Sequence, residues 1–251
     1  MNKQLFQQKI KAFGWHLLFS AVSALLSILL VYGVWYPSPL AKAVGVNHLY
    51  LMMLAIDAIL GPVLTFIVYK KPKKTLRFDL AVILSVQLLA LGYGLYTMYQ
   101  GKPAWIAYDV DRFQLVRTND IDQRKLAQAK SEYKHVPVGR PKYVASVVPK
   151  TNIELSNEIL FDEIQYGIAP PQRPELYQPL SRAYEQIVKR AKPLNELNKF
   201  NDENDVKKIL SQYPTADSFV PLKANAQDMT VLIDKKSGGK VVKIVDLRPW
   251  Q

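Results

Sequence analysis

The chain has 251 residues, a formal net charge of +12 and no cysteine. The missing thiols exclude a disulfide framework, a cysteine nucleophile and a cysteine-ligated metal site. The basic balance invites a nucleic-acid reading. However, residues 1–99 carry nine Lys/Arg against two Asp/Glu, and residues 100–251 carry 24 against 19. The excess therefore sits beside the apolar half of the chain, as orientation of membrane helices by positive loops requires, and no nucleic-acid partner is expected.

Lys3, Lys9 and Lys11 open the chain, and three apolar runs follow: Leu17–Trp35, Leu49–Tyr69 and Leu80–Tyr99. Each approaches the ~20 residues an α-helix needs to cross ~30 Å of hydrocarbon. The expected organisation is a three-helix transmembrane domain over residues 1–99, with spans at about 15–36, 48–69 and 79–99. The first connection holds only Lys42, whereas the second, Lys70–Arg77, holds five positive charges. Positive loops stay cytoplasmic. The N-terminus and the second connection are therefore expected inside, and the first connection and everything after the third span outside. Aromatic residues near the run ends, such as Trp15, Trp35, Tyr69 and Trp105, fit an interfacial belt. Ala41-Lys42-Ala43 resembles a signal cleavage site, but the preceding run is longer than a signal h-region. Gly14 is followed by Trp15, and Phe19 stands where a prepilin leader would be followed by Glu, which argues against a pilin.

Asp57 is the only charge within the three runs. An acid at mid-bilayer costs about 2.5–3.5 kcal/mol on the insertion scale, which its apolar neighbours outweigh, so Asp57 should face protein or water. Gly61-Pro62 follows one turn later, where the missing proline N–H predicts a kink. Ser23 and Ser27 lie on one face of the first helix together with Ser20, and Gln87 lies in the third. By residue counting, Ser23, Ser27, Asp57 and Gln87 share one central slab. Small and polar groups of this kind join membrane helices to one another, or they form a groove for a further helix.

Beyond Tyr99 the chain reads as a mixed α+β domain over residues 100–251. Ala104–Val110 and Phe113–Val116 are aromatic and β-branched, as strands are. Asn119-Asp120 offers a cap for a helix reaching Glu132. Residues 134–153 read as loop with one strand at Tyr143–Val148, Ser156 as the cap of a helix to Tyr166, and the four-proline segment Ala169–Pro179 as a rigid connection. Pro179 suits the first position of a helix with an apolar stripe at Leu180, Tyr184, Ile187, Val188 and Ala191. A further helix follows Asp202, with Val206, Ile209, Leu210 and Tyr213 on its apolar side. Strands at Phe219–Leu222, Met229–Asp234 and Lys240–Leu247 finish the chain, the last two joined as a hairpin through Lys235–Gly239.

Catalytic signals are sparse, and no catalytic residue, metal ligand or cofactor site is assigned. His135 is the domain's one histidine, and the common hydrolase, zinc-protease and phosphate-loop motifs are absent. Asp109 and Asp111, two apart on a strand, would share a face. They could hold a metal or exchange protons, or they could be a solvated strand end neutralised by Arg112.

Five segments carry a resemblance. They are Ile56-Asp57-Ala58-Ile59-Leu60-Gly61-Pro62-Val63-Leu64-Thr65, Arg77-Phe78-Asp79-Leu80-Ala81-Val82-Ile83, Gln87-Leu88-Leu89-Ala90-Leu91-Gly92-Tyr93-Gly94-Leu95-Tyr96, Val110-Asp111-Arg112-Phe113 and Asp246-Leu247-Arg248-Pro249-Trp250. Together they resemble the type IV pilin accessory proteins of the TfpX/TfpZ type. The resemblance implies an inner-membrane protein of a Gram-negative cell that supports accumulation or assembly of the major pilin, without catalytic residues or a cofactor. Asp57, Gly61, Pro62, Gln87, Asp111, Arg112 and Phe113 carry over as matching positions and join Ser23 and Ser27 as the expected partner-binding set. The expected partners are the major pilin, membrane lipid and other pilus assembly proteins. On this reading the three helices shelter the pilin's apolar helix while the outer domain meets its head. The alternative is a pilin-modifying or cell-wall-acting enzyme facing the periplasm.

Overall fold

The computed structural model describes residues 3–70, 72–149 and 152–250. Lys71, one of the five charges of the second connection, lies outside the described residues, as do Lys150 and Thr151 of the loop expected over 134–153. The chain forms two compact units. One is built from the residues up to Val34 and from Val46–Gln100, the other from Trp35–Gly45 and the residues from Gly101 onward.

The first unit is helical. Helix α1 (Lys3–Leu30) continues as a π-helical segment, Val31–Trp35. After the short α2 (Leu40–Val44), which belongs to the other unit, come α3 (Asn47–Val68) and α4 (Leu76–Gly101). All three long helices have the length and hydropathy to cross a membrane, which makes this a multi-pass membrane protein. Helix α1 starts well before the apolar run, because Lys3–Ala12 contains good helix formers and no breaker. Helix α3 runs unbroken through Pro62. Its buried residues, Tyr50, Leu54, Gly61, Pro62 and Thr65, recur at helical spacing and face α1, with which it packs closely. Helix α4 stands further off and reaches its neighbours through side chains. Gly94, for example, lies against Met53, where a β-carbon would collide with the thioether. Leu26, Ile59 and Leu89 point outward, each more than 60% exposed, as a lipid-facing surface requires.

The second unit is a mixed sheet with helices. Its strands are β1 (Pro103–Asp109), β2 (Arg112–Arg117), β3 (Lys142–Ser146), β4 (Tyr177–Pro179), β5 (Lys192–Pro193), β6 (Ser218–Lys223), β7 (Met229–Asp234) and β8 (Lys240–Val245). They run in the order β4-β3-β1-β2-β6-β7-β8, with β5 added on β6. The β1–β3 and β2–β6 pairs are parallel and the others antiparallel. The sheet ends in the β7–β8 hairpin. Strand β1 is covered on both faces. Ile106 and Tyr108 enter a core with Phe113, Val220, Val231 and Ile187, whereas Trp105 and Ala107 enter another with Val116, Tyr133 and Tyr177. This explains its unbroken apolar sequence. The connection between the first two spans contributes to this domain: Leu40 and Ala43 lie in its core, and the Ala43 carbonyl accepts from the amides of Ala226 and Gln227. Gly45 ends α2 at φ +83°, and a β-carbon there would stand 2.7 Å from that of Ala226.

Local expectations fail in four places. No α-helix runs from Asp120 to Glu132. That stretch holds the 3₁₀ turns Thr118–Asp120, Leu126–Gln128 and Ser131–Tyr133, because Asp120 binds the Arg117 amide and guanidinium, and Asp122 those of Arg124. Such local side-chain bonds compete with helix. Helix α5 (Ile153–Tyr166) is capped by Asn152 rather than Ser156. Pro179 ends β4, and a 3₁₀ turn precedes α6 (Tyr184–Arg190). Val110 and Asp111 form the β1–β2 turn rather than strand. Helix α7 (Glu203–Leu210) follows its expected cap, Asp202.

Candidate functional site

Two groups of side chains stand out, one in each unit. The first is a polar node among the long helices. The Gln87 amide of α4 donates to Ser20 Oγ at 2.8 Å and to the Asp57 carbonyl at 3.0 Å, and its oxygen meets His16 Nε2 at 2.8 Å. His16 Nδ1 lies 2.5 Å from Thr65 Oγ1. Gly61 makes room for the carboxamide, since a β-carbon there would collide with it. Ser27 binds Tyr50 OH at 2.6 Å, both buried. The Asp57 Oδ2 atom is buried and has no hydrogen-bond partner among the described residues.

The node joins Gln87, Gly61 and the Asp57 backbone, with Pro62 buried beside Gly61. Ser27 belongs to a separate contact, and Ser23 is half-buried on the same α1 face. Sequence reasoning missed His16, Thr65 and Tyr50. His16 precedes Ser20, Ser23 and Ser27 at helical spacing, and a polar ring on that face was the signal available. Toward the His16–Thr65 end, Trp15, Phe19, Leu80 and Leu84 wall a largely apolar groove of about 340 Å³.

The second group is a crevice of about 620 Å³ in the C-terminal domain, bounded by the β1–β2 turn, Glu163 and residues 167–172. The turn is tight: the Asp111 amide donates to the Asp109 carbonyl at 2.6 Å, and Val110 takes φ +52°. This is a γ-turn in its rarer, strained form. The Val110 carbonyl accepts from Tyr108 OH at 3.0 Å and Gln186 Nε2 at 2.7 Å. The Arg112 guanidinium pairs with Asp111 at 2.8 Å and lies over the Trp250 ring. Burial, followed by the like charges of Glu163 and Asp111, pushes the Asp109 carboxyl up to about 6, with Arg112 pulling it down. Asp111 and Arg112 thus line the crevice. Phe113 instead packs in the core between Tyr108 and Tyr143. His135 is exposed in a loop elsewhere. Glu163, from α5, comes to Asp109 only through tertiary packing and was not foreseen. Among the described residues no group of three or more His, Asp or Glu is arranged to hold a metal ion.

Residues 4–45 match the family described as fimbrial assembly protein FimB. The chain is 34% identical over 245 residues to the fimbrial assembly protein of serogroup E1 of Dichelobacter nodosus, and 33% identical over 245 residues to that of serogroup I; each alignment covers 94% of both chains. The protein of serogroups C1 and C2 is 36% identical over 132 residues, which is all of that chain and 51% of this one. No solved structure matches significantly.

Proposed function

This chain belongs to the FimB family of fimbrial assembly proteins and has a role in fimbria assembly, and from that premise we propose that it is a non-catalytic inner-membrane accessory protein that binds and stabilises a type IV major pilin. Its N-terminus and the Lys70–Arg77 connection face the cytoplasm, and its C-terminal domain faces the periplasm. The waiting pilin subunit places its apolar helix against the three spans and its head against the domain.

Asp57 carries the reading. A buried carboxylate oxygen without a donor is costly where no water can reach it, and a further helix bearing a donor would satisfy it. The stand-off of α4 supports room for such a helix, and the groove beside His16 and Thr65, about two turns further along α3, adds apolar surface on the same bundle. Deleting the gene should lower pilin abundance, and a photo-crosslinker in place of Asp57 should capture pilin in cells. Normal pilus number with pilin absent from every product defeats the reading.

The enzymatic alternative draws on the Asp109 carboxyl in its crevice. Alanine at Asp109, Asp111 and His135 together would abolish pili on that reading, and full piliation would remove it.

A further inference from the structure

Helix α5 is mounted with its polar side inward. Asp162 pairs with Arg124 and Arg173, and Glu158 with Lys125 and Arg173. Of its apolar side chains, only Ile159 is buried. Ile153, Leu160 and Ile164 recur seven and then four residues apart, so they line one outward stripe, flanked by Phe161. Ile164 is 77% exposed and Leu160 56%. Glu163, on the same turn as Ile164, opens onto the crevice that holds Asp109. Among the described residues neither Glu163 nor Asp109 has an ion-pair partner. The surface therefore offers uncovered apolar area beside two carboxylates outside any ion pair, one at a strand end and one on the helix, in a crevice that Arg112 and Lys223 also line.

We propose that the α5 stripe and the Asp109–Glu163 crevice form one docking surface, whose occupant is a protein segment carrying a large apolar side chain next to a lysine or arginine. An apolar stripe of this kind marks a contact surface, and the crevice, with Asp109, Asp111 and Glu163 against Arg112 and Lys223 and Arg112 already paired to Asp111, keeps an acidic excess on the side next to α5 that sets the sign of what can approach it. A bilayer surface is the competing cover. Helices that lie on membranes carry basic polar faces that meet anionic lipid, whereas α5 holds Glu154, Glu158, Asp162 and Glu163 and no Lys or Arg. The inference deepens the function proposed above and rests on it, because the segment is placed on the soluble head of the fimbrial subunit.

The test uses the full chain in phosphatidylcholine nanodiscs and the purified fimbrial subunit as probe. The wild-type chain should bind with an affinity that weakens as salt rises. Glu163→Lys and Ile164→Asp should each weaken binding by about tenfold or more, with Lys236→Ala unchanged. Wild-type binding that both variants retain, or that ignores salt, overturns the surface while leaving the functional reading intact. Failure of the wild-type chain to bind the subunit overturns both. Because the chain has no cysteine, Ile164→Cys takes a single environment-sensitive label. A label that already reports an apolar setting in nanodiscs alone makes the stripe a lipid contact, which also overturns the proposal.

Discussion

Gln87 and His16 meet between two long helices, carboxamide oxygen to imidazole Nε2, at 2.8 Å. The Asp57 carbonyl can only accept, so the NH₂ side of Gln87 must face it, which leaves the oxygen for His16. The ring therefore donates from Nε2, and in its neutral form accepts from the Thr65 hydroxyl at Nδ1. Gln87→Leu breaks three such bonds, each worth about 0.6 kcal/mol and at most about 1.7 in a membrane setting. A loss of about 2 kcal/mol is expected, read as a lower unfolding midpoint in detergent. Gly61→Ala should cost as much by displacing the same carboxamide. The double variant should then fall well short of the sum.

Arg173 is a buried cation with three anionic partners: Asp162 at 2.9 Å, Glu175 at 2.9 Å and Glu158 at 3.1 Å. Arg173→Met leaves Glu175, which is also nearly inaccessible, without its cation, and leaves Asp162 with Arg124 alone. Removing one member of a buried ion group costs about 3 kcal/mol or more. Limited proteolysis should show α5 loosened, since its attachment then rests on the Glu158–Lys125 and Asp162–Arg124 pairs alone. Wild-type protection would contradict that role.

The long helices were legible because hydropathy and length alone decide them, and β6, β7 and β8 because each pairs its apolar run with a clear turn. The Asp120–Glu132 stretch misled because cap chemistry looks the same whether an Asp starts a helix or folds back on its own arginine. The membrane slab was half visible: Gln87, Gly61 and Asp57 stood out as exceptions in apolar runs, whereas His16, at the edge of its run, did not. Leu40 and Ala43 look like any short connection between spans, and only the fold makes them core. Nothing local in the sequence brings Glu163 to Asp109, because 54 residues separate them.

Val110 is a β-branched residue at φ +52°, a region costly for such side chains. It is 58% exposed, so replacing it sacrifices little packing. Val110→Asn, which tolerates a left-handed backbone, should raise stability by about 1 kcal/mol, measured as a higher melting temperature. Val110→Gly should gain less, because glycine also loosens the unfolded chain. An unchanged melting temperature in both would mean the turn is not strained.

Asp109 gives the protein a pH signature of definite sign. Its carboxyl sits at about 6 in the folded chain, against about 3.9 for an ordinary aspartate. Between about pH 4 and 6 the folded state thus holds the proton more often than the unfolded chain does, and stability falls as pH rises through that window. Above it the ionised group is a standing cost, maintained by burial and by Glu163 and Asp111 and partly relieved by Arg112. Asp109→Asn should therefore melt higher than wild type at neutral pH, with the difference vanishing below about pH 4. Glu163→Gln should recover part of the gain, because it removes the like charge that acts more strongly on Asp109. A partner that brings a cation into the crevice should shrink the gap between wild type and Asp109→Asn, because the ionised carboxylate then gains a counter-charge that the amide cannot use. Melting curves recorded at neutral pH with and without the fimbrial subunit therefore separate an intrinsic penalty from one that binding relieves.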